Sequence, residues 1–244
     1  MFRRLLKQGV AAGMAGGVGL ALVLRLIGEG PLGRAVALEG DGGHEMFSRG
    51  TQKLGGMAAA LLFGAAAGAV FSVAYALVRH RMRTTDDWRA AVGLAAAAFA
   101  GVFLLPFLKF PANPPIVGDP DTVGRRTALY LVAVGWSLVA TWAGWRAWRA
   151  LVARGLPPAQ AVPATLAVWV GLAVVGLVAL PSNPDRVDAP ATLIWQFRMA
   201  SLAGAAVFWS VVGMVFGWLR VRDDVAPDVA VDVVVARVDV HDHA

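Results

Sequence analysis

The sequence contains no cysteine, and it is poor in histidine and in charged residues. There are four histidines among 244 residues, and charged residues make up 16% of the chain. Without cysteine the chain has no disulfide, no thiolate nucleophile and no Cys-type zinc site. Four histidines leave little for a histidine-rich metal cage. The low charge also argues against a soluble domain, in which about 25% of residues are charged.

Apolar residues take the place of the missing charges and make up 58% of the chain. They form six runs that reach about 20 residues, the length needed to cross the hydrocarbon core of a membrane. In lipid, such segments satisfy their backbone hydrogen bonds as helices. The sequence therefore predicts an all-α, polytopic transmembrane bundle. Its spanning helices are expected near residues 9–27, 54–78, 90–108, 127–145, 162–180 and 193–219.

Two segments outside the central runs need separate interpretation. The N-terminal "MFRRLLK" is basic like the start of a signal peptide, but no small-residue cleavage site follows it before Gly28. We therefore expect a retained first helix and a transmembrane domain over residues 1–222. Residues 223–244 alternate valine with aspartate and are expected to form a flexible cytoplasmic tail.

The distribution of charge predicts the orientation of the helices. Lysine and arginine favour the cytoplasmic side of a membrane, and they are enriched at the N-terminus and in the connections 79–89 and 146–161. Acidic residues concentrate in the alternate connections, 28–53, 109–126 and 181–192. Both termini are thus predicted to be cytoplasmic. The net charge of +6 reflects this bias, and no nucleic-acid partner is expected.

Glycines and tryptophans occur at positions that suit a membrane bundle. Glycines four residues apart let helix backbones approach closely, although such spacings also arise by chance in a chain rich in alanine and glycine. They are Gly9, Gly13 and Gly17, Gly64 and Gly68, and Gly213 and Gly217. Tryptophans towards helix ends are expected in an aromatic belt at the membrane surface. They are Trp136, Trp142, Trp145, Trp148, Trp195 and Trp218.

An internal repeat links two of the predicted outer loops. "LKFPANPPIVGDPD" follows the third run and "VALPSNPDRVDAP" follows the fifth, and both contain Pro-x-Asn-Pro followed by aspartates. The pattern suggests three helical hairpins in succession, arranged as parallel repeats, the first being the most divergent. The alternative is that proline and asparagine recur only because they are good turn residues.

The outer loops also hold the candidate functional residues. Proline stiffens the backbone, and carboxylate and amide oxygens are hard ligands suited to divalent cations. The structural alternative is that the aspartates pair with arginines or sit at helix N-termini. The outer-loop candidates are Asn113, Asp119, Asp121, Arg125, Arg126, Asn183, Asp185, Asp188 and Arg198.

Histidines provide two further candidate metal sites. His44 and Glu45 lie in the first outer loop, and His241 and His243 lie at the end of the tail. Imidazole and carboxylate are suitable ligands for cobalt(II). The alternative is that all four residues are simply solvated.

The segment "PFLKFPANPPIVGDPDTVGRRTALYL" resembles the signature segment of the CbtA family of probable cobalt transporter subunits. The N-terminal "MFRRLLKQGVAAGMAGG" and the later "LPSNPD" fit the same family. The resemblance implies cobalt uptake linked to cobalamin synthesis in the bacterial cytoplasmic membrane, and a small single-helix partner, CbtB, that carries a histidine motif. It also implies five spans, so the six counted here are open to revision.

Three functions follow from these observations. The first is transport of a divalent transition-metal cation, Co²⁺, as a permease or permease subunit with no permanently bound cofactor. The second is a structural or regulatory subunit that docks a partner through its outer loops. The third is a membrane-embedded metal-dependent enzyme, but no nucleophile–base pair accompanies the aspartates and no enzymatic activity is expected. A homo-oligomer is an open possibility.

Overall fold

The computed structural model describes residues 2–39, 48–82, 84–114, 118–183 and 189–241, with side chains at all of these except 39, 49 and 224–241. Every secondary-structure element in these ranges is helical. Among the described residues, six helical stretches are long and apolar enough to cross a membrane. The prediction of an all-α fold with six spans is therefore confirmed.

The six spans are assembled from eight α-helices. In the first, α1 (Phe2–Val23) passes through a π-helical turn (Leu24–Gly28) into α2 (Glu29–Glu39). The second is α3 (Arg49–Val78) with a short 3₁₀ turn (Arg79–Arg81). The third comprises α4 (Asp87–Ala98), a π-helical segment (Phe99–Leu104) and α5 (Leu105–Lys109). A 3₁₀ turn (Pro120–Thr122) leads into α6 (Val123–Ala153), followed by α7 (Pro158–Ala179) and α8 (Ala191–His241).

Several helices extend beyond the predicted apolar runs. The first span covers 37 residues, Phe2–Leu38, which is about 55 Å at 1.5 Å per residue and exceeds the roughly 30 Å hydrocarbon core. Helices are ended by breaker or capping residues and not by the membrane surface, so they can continue beyond the apolar run. The backbone of α8 likewise stays helical to His241. The flexibility and location of the tail stay predictions.

The chain divides into two compact units, each described by itself below. Unit 1 comprises Met1–Ala21, Gly50–Ala96 and Val207–Ala244. Unit 2 comprises Leu22–Arg49 and Ala97–Ala206.

In unit 1, α1 and α3 touch backbone to backbone through glycines. A Cβ atom added to Gly13 would lie 2.0 Å from the carbonyl oxygen of Gly64, and one added to Gly68 would lie 2.0 Å from that of Gly9. At the next turn, a Cβ on Gly17 would lie 2.5 Å from the oxygen of Ala60. No side chain fits in these positions. The predicted role of the glycine spacing in close helix packing is confirmed.

The core of unit 1 lies beside this glycine contact. Its large members come from α3 and α8 and meet edge to face, with ring centroids 5.3 Å apart for Phe71 and Phe216 and 5.0 Å apart for Tyr75 and Phe216. Phe208, Val212 and Phe216 of α8 are almost completely buried. The α8 helix thus provides the apolar side chains that α1 lacks.

In unit 2, α6 and α7 form a hairpin with a glycine-capped turn. Gly155 has φ +80°, a conformation that costs a residue with a Cβ atom strain energy. The N–H of Leu156 donates to Leu151 O and that of Gly155 donates to Val152 O, the pattern of a Schellman C-cap. Pro158 then occupies the first position of α7, where its missing N–H costs nothing.

The α6/α7 hairpin is held by two reciprocal contacts between tryptophan and glycine. Trp136 of α6 lies over Gly176 of α7, where an added Cβ would be 2.3 Å from the indole ring, and Trp169 of α7 packs on Gly144 of α6. The Trp136 indole N–H donates to the Leu172 carbonyl at 2.8 Å. The prediction that Trp136 belongs to a surface belt is therefore wrong, because a glycine opposite gives its ring room between the helices.

A π-helical segment precedes the buried proline of the third span. Leu105 N–H donates to Ala100 O, a five-residue step instead of four. Pro106 follows and is fully buried. In a regular α-helix its ring would clash with the carbonyl four residues earlier and leave that carbonyl without a donor. The wider turn relieves this conflict, as π-bulges often do near helix irregularities.

We predict opposite effects for two alanine substitutions in α3. Gly68→Ala should destabilise the protein by about 1–3 kcal/mol, because its Cβ meets the backbone of α1 and the helices must separate. Gly55→Ala is the matched control, since nothing lies within 4 Å of a Cβ at that position and alanine favours helix. Thermal unfolding of the purified proteins in detergent measures both; equal midpoints would contradict the backbone contact.

A second pair of variants tests the α6/α7 contact. Gly176→Ala should lower the unfolding temperature, because the new methyl group expels the Trp136 ring and breaks its hydrogen bond to Leu172 O. Gly171→Ala, in the same helix but facing open space, should not lower it. A Trp136→Phe variant should remove the hydrogen bond while retaining the ring, and should cost roughly 0.5–1.5 kcal/mol. An unchanged midpoint for Gly176→Ala would show that the ring is not held there.

Candidate functional site

The two Pro-x-Asn-Pro loops lie around one cavity in unit 2. The cavity has a volume of about 540 Å³, and Asn113 and Asn183, the asparagines of the two repeats, both line it. The two loops are 70 positions apart in the sequence and follow different helices. If proline and asparagine recurred only as turn formers, the two loops would not need to line the same cavity. Their shared cavity therefore supports the internal repeat.

The first loop is fixed by buried proline and by a contact with α8. Pro114 is fully buried. The Oδ1 atom of Asn113 accepts a hydrogen bond of 2.9 Å from the Arg198 guanidinium. Arg198 lies in the first two turns of α8, so this bond ties the loop to the start of the last span. Two of the predicted site residues, Asn113 and Arg198, are thus brought together.

The aspartates of the first loop have a structural role at the start of α6. The Asp119 carboxylate accepts from the Asp121 N–H at 2.9 Å, and its carbonyl accepts from Thr122 N–H at 3.1 Å and from Arg126 at 3.2 Å. This is the capping arrangement expected of aspartate before a helix. The side chain of Asp121 is exposed. The contacts of Asp119 therefore agree with the structural alternative, in which an aspartate sits at a helix N-terminus.

The two neighbouring arginines of α6 differ in position. Arg126 lines the cavity, whereas Arg125 is exposed and is not part of its lining. The described wall also includes Phe110 and Tyr130. It therefore offers amide groups, a guanidinium, a phenol and backbone carbonyls. Such a wall can hold water and a hydrated ion, but a guanidinium disfavours direct coordination of a bare cation beside it.

The remaining predicted residues lie outside the described part of the chain. These are His44, Glu45, Asp185, Asp188 and His243, and for His241 only the backbone is described, near the end of α8. Within the described residues, no group of three or more histidine, aspartate or glutamate side chains is placed to hold a metal ion. The metal-ligand predictions for these residues stay predictions.

Sequence reasoning missed two polar contacts that shape unit 2. The Lys109 ammonium donates to Leu177 O at 2.7 Å. The residue four positions beyond Leu177 is Pro181, which has no N–H to offer that carbonyl, so lysine supplies the missing donor. Proline just after an apolar run was the available signal. Arg34 also hydrogen-bonds Gln196, a pairing with no local pattern in the sequence.

An ion cluster in unit 1 was missed as well. Asp87, at the start of α4, accepts from Arg79 at 2.6 Å through one oxygen and from Arg220 at 2.9 Å through the other. Arg79 also donates to the carbonyls of Thr84 and Thr85. Both partners of Asp87 come from other spans, so only the folded chain brings them together.

Comparison with known proteins agrees with the sequence resemblance. The family model described as "Probable cobalt transporter subunit (CbtA)" matches residues 2–221. No curated protein and no solved structure matches the chain significantly. The match extends into all six candidate membrane spans. The chain is therefore a membrane protein that belongs to the CbtA family of probable cobalt transporter subunits.

Proposed function

We propose that this chain carries Co²⁺ into the cell across the bacterial cytoplasmic membrane, as a permease or as the main subunit of one. The imported cobalt would supply cobalamin synthesis. The ion is cargo in this proposal and not a resident cofactor. The proposed role is non-enzymatic, as the family description implies, and we assign no catalytic residue.

The observation that carries the proposal is the cavity between the two repeat loops. A transporter built from repeats typically binds its substrate where the repeats meet. Here the equivalent residues Asn113 and Asn183 line one cavity. At about 540 Å³ it is far larger than a bare ion, since a water molecule occupies about 30 Å³ in the liquid. It suits a hydrated cation at the mouth of a path.

The proposed orientation puts the cavity on the side from which imported cobalt would enter. Basic residues favour the cytoplasmic side, and on this ground we propose that both termini lie inside and that the cavity lies outside. Tryptophan and arginine pairs at the inner ends of the helices support this placement. In α6 the Arg149 guanidinium lies 5.1 Å from the Trp145 ring, and in α8 Arg222 lies 5.5 Å from Trp218. Such amphipathic pairs suit the interface with lipid headgroups.

A partner is needed to complete the ligand set in this proposal. Cobalt(II) favours imidazole and carboxylate ligands, and the described residues of the chain bring no such group of three together. We propose that a small single-helix membrane protein with a histidine motif, of the CbtB kind, supplies imidazole. The loop candidates His44, Glu45, Asp185 and Asp188 are the proposed contribution of this chain.

The proposal is tested by uptake of radiolabelled cobalt into cells that express the chain with and without the small partner, with nickel and zinc as competitors. We expect uptake above background that requires this chain and that cobalt saturates. Uptake with the partner alone, at the same rate as with both, would contradict the proposal and leave a docking or regulatory role.

The outer aspartates provide a sharper prediction. Asp119→Asn with Asp121→Asn should lower the initial rate of cobalt uptake at low salt by a factor on the order of 3–10, because two negative charges that attract the cation are lost. The difference should shrink as salt screens the charges. Asparagine caps a helix as well as aspartate, so the loop should keep its structure.

Asp86→Asn is the matched control for this variant. Asp86 caps α4 by accepting from the N–H groups of Trp88 and Arg89, and it lies in a predicted inner loop. The substitution should leave uptake unchanged. If the double variant also takes up cobalt at the normal rate, Asp119 and Asp121 have no part in the ion path.

A further inference from the structure

The C-terminal end of α6 carries positive charge that the chain does not neutralise. Arg146 and Arg149 lie in the last two turns of this helix, and Arg154 is its C-cap residue. The sequence has no aspartate or glutamate between Asp121 and Asp185. Among the described residues, no carboxylate lies within salt-bridge distance of any of these three arginines. Their charge therefore calls for an anion from outside the chain.

Several arginines near the ends of the spans of unit 1 have aspartate partners instead. Arg79 and Arg220 both pair with Asp87. Arg89 pairs with Asp86, three residues earlier in the chain. The arginines at the end of α6 have no such partner within the described part of the chain, so a bound anion would do for them what aspartates do in unit 1.

Two of these arginines share one face of α6 with two tryptophans. The four residues are Trp142, Trp145, Arg146 and Arg149, and at about 100° per residue they fall within an arc of about 100°. The Arg146 guanidinium lies 5.9 Å from the Trp142 ring centroid, and that of Arg149 lies 5.1 Å from the Trp145 ring centroid. Gly144, which packs against α7, lies on the roughly opposite side of the helix. The face therefore points away from the α6/α7 contact, and Trp142 and Arg146 are exposed.

The residue types on this face fit a phosphate group at the surface of a membrane. Arginine offers a planar fork of N–H donors that matches phosphate oxygens, and it also binds aromatic faces. Tryptophan is enriched at the depth of the lipid headgroups. Because residues three apart are neighbours on a helix, Arg146 and Arg149 repel each other, and this repulsion is relieved when both contact one anion.

We propose that this face of α6 binds an anionic phospholipid of the phosphatidylglycerol class, with its phosphate on Arg146 and Arg149. The lipid supplies the negative charge that the chain lacks in this segment. One and three turns further into the membrane, the same face exposes Leu138 and Leu131, against which an acyl chain can lie. The site is separate from the cavity between the repeat loops, and the lipid is a bound partner and not a transported substrate.

Native mass spectrometry of the full-length protein, released from detergent micelles, measures this binding directly. Phosphatidylglycerol and phosphatidylcholine with the same acyl chains are titrated separately. Both contain a phosphodiester, but only phosphatidylglycerol has a net negative charge. We expect the protein to bind phosphatidylglycerol more tightly than phosphatidylcholine. Arg146→Gln with Arg149→Gln should weaken the binding of phosphatidylglycerol by about tenfold or more, because both positive charges near its headgroup are lost.

Two further double variants separate a phosphate site from a general effect of charge. Arg89→Gln with Arg125→Gln removes the same number of charges, one already paired with Asp86 and one exposed at the other end of α6. This variant should keep the affinity for phosphatidylglycerol within about twofold, because exposed charges away from the lipid contribute little. Arg146→Lys with Arg149→Lys keeps the charge but loses the planar fork, and should bind about threefold more weakly or worse.

Three results would overturn the lipid site. They are equal affinity of the unmodified protein for the two lipids, unchanged binding after the glutamine substitutions in α6, and an equal loss of binding in the control variant. Full binding by the lysine variant would also overturn it, since attraction would then need only positive charge. Because the titration contains no cobalt, its outcome is independent of the uptake experiment.

Discussion

Close approach of helix backbones is the constraint on which this structure depends. In lipid there is no hydrophobic force between helices, because the lipid tails are as apolar as the side chains. Helices are then held by van der Waals packing at short range, and this needs small residues on both sides. Gly13 against Gly64 and Gly68 against Gly9 provide it in unit 1. In unit 2 the same need is met differently, with Trp136 filling the space above Gly176.

Polar groups in the chain are placed where the helical backbone leaves atoms unsatisfied. Lys109 donates to the carbonyl of Leu177. This carbonyl needs a donor because Pro181, four positions later, has no N–H. Asp119 accepts from the backbone that starts α6. Asn113 and Arg198 join a loop to a distant helix. These contacts fix Asn113 and Asp119 next to the cavity, which is compatible with the cobalt transport that we propose for this family member.

Local patterns in the sequence were sufficient for the spans, the glycine faces and the repeat loops, because each depends on residues close together in the chain. These local patterns did not show which residues contact each other in the folded protein. Spacing identifies Gly9 and Gly68 as small positions, but not that they face each other. Trp136 was expected in a surface belt near a helix end, but it lies near the middle of α6, and nothing local in the sequence points to the glycine opposite. Arg79 and Arg220 meet Asp87 only in the folded protein. The π-helical segment before Pro106 was not predicted either, because an apolar run does not distinguish π-helical from α-helical turns.

The central claim is that this chain forms a path for cobalt, and the most direct measurement uses the purified protein. Proteoliposomes with a trapped cobalt-quenched dye would contain the chain together with the small partner, or the partner alone. The account predicts faster quenching when the chain is present, and it predicts that nickel or zinc slows this quenching only at high concentration. Equal quenching in the two preparations, with the chain inserted and folded, would contradict it.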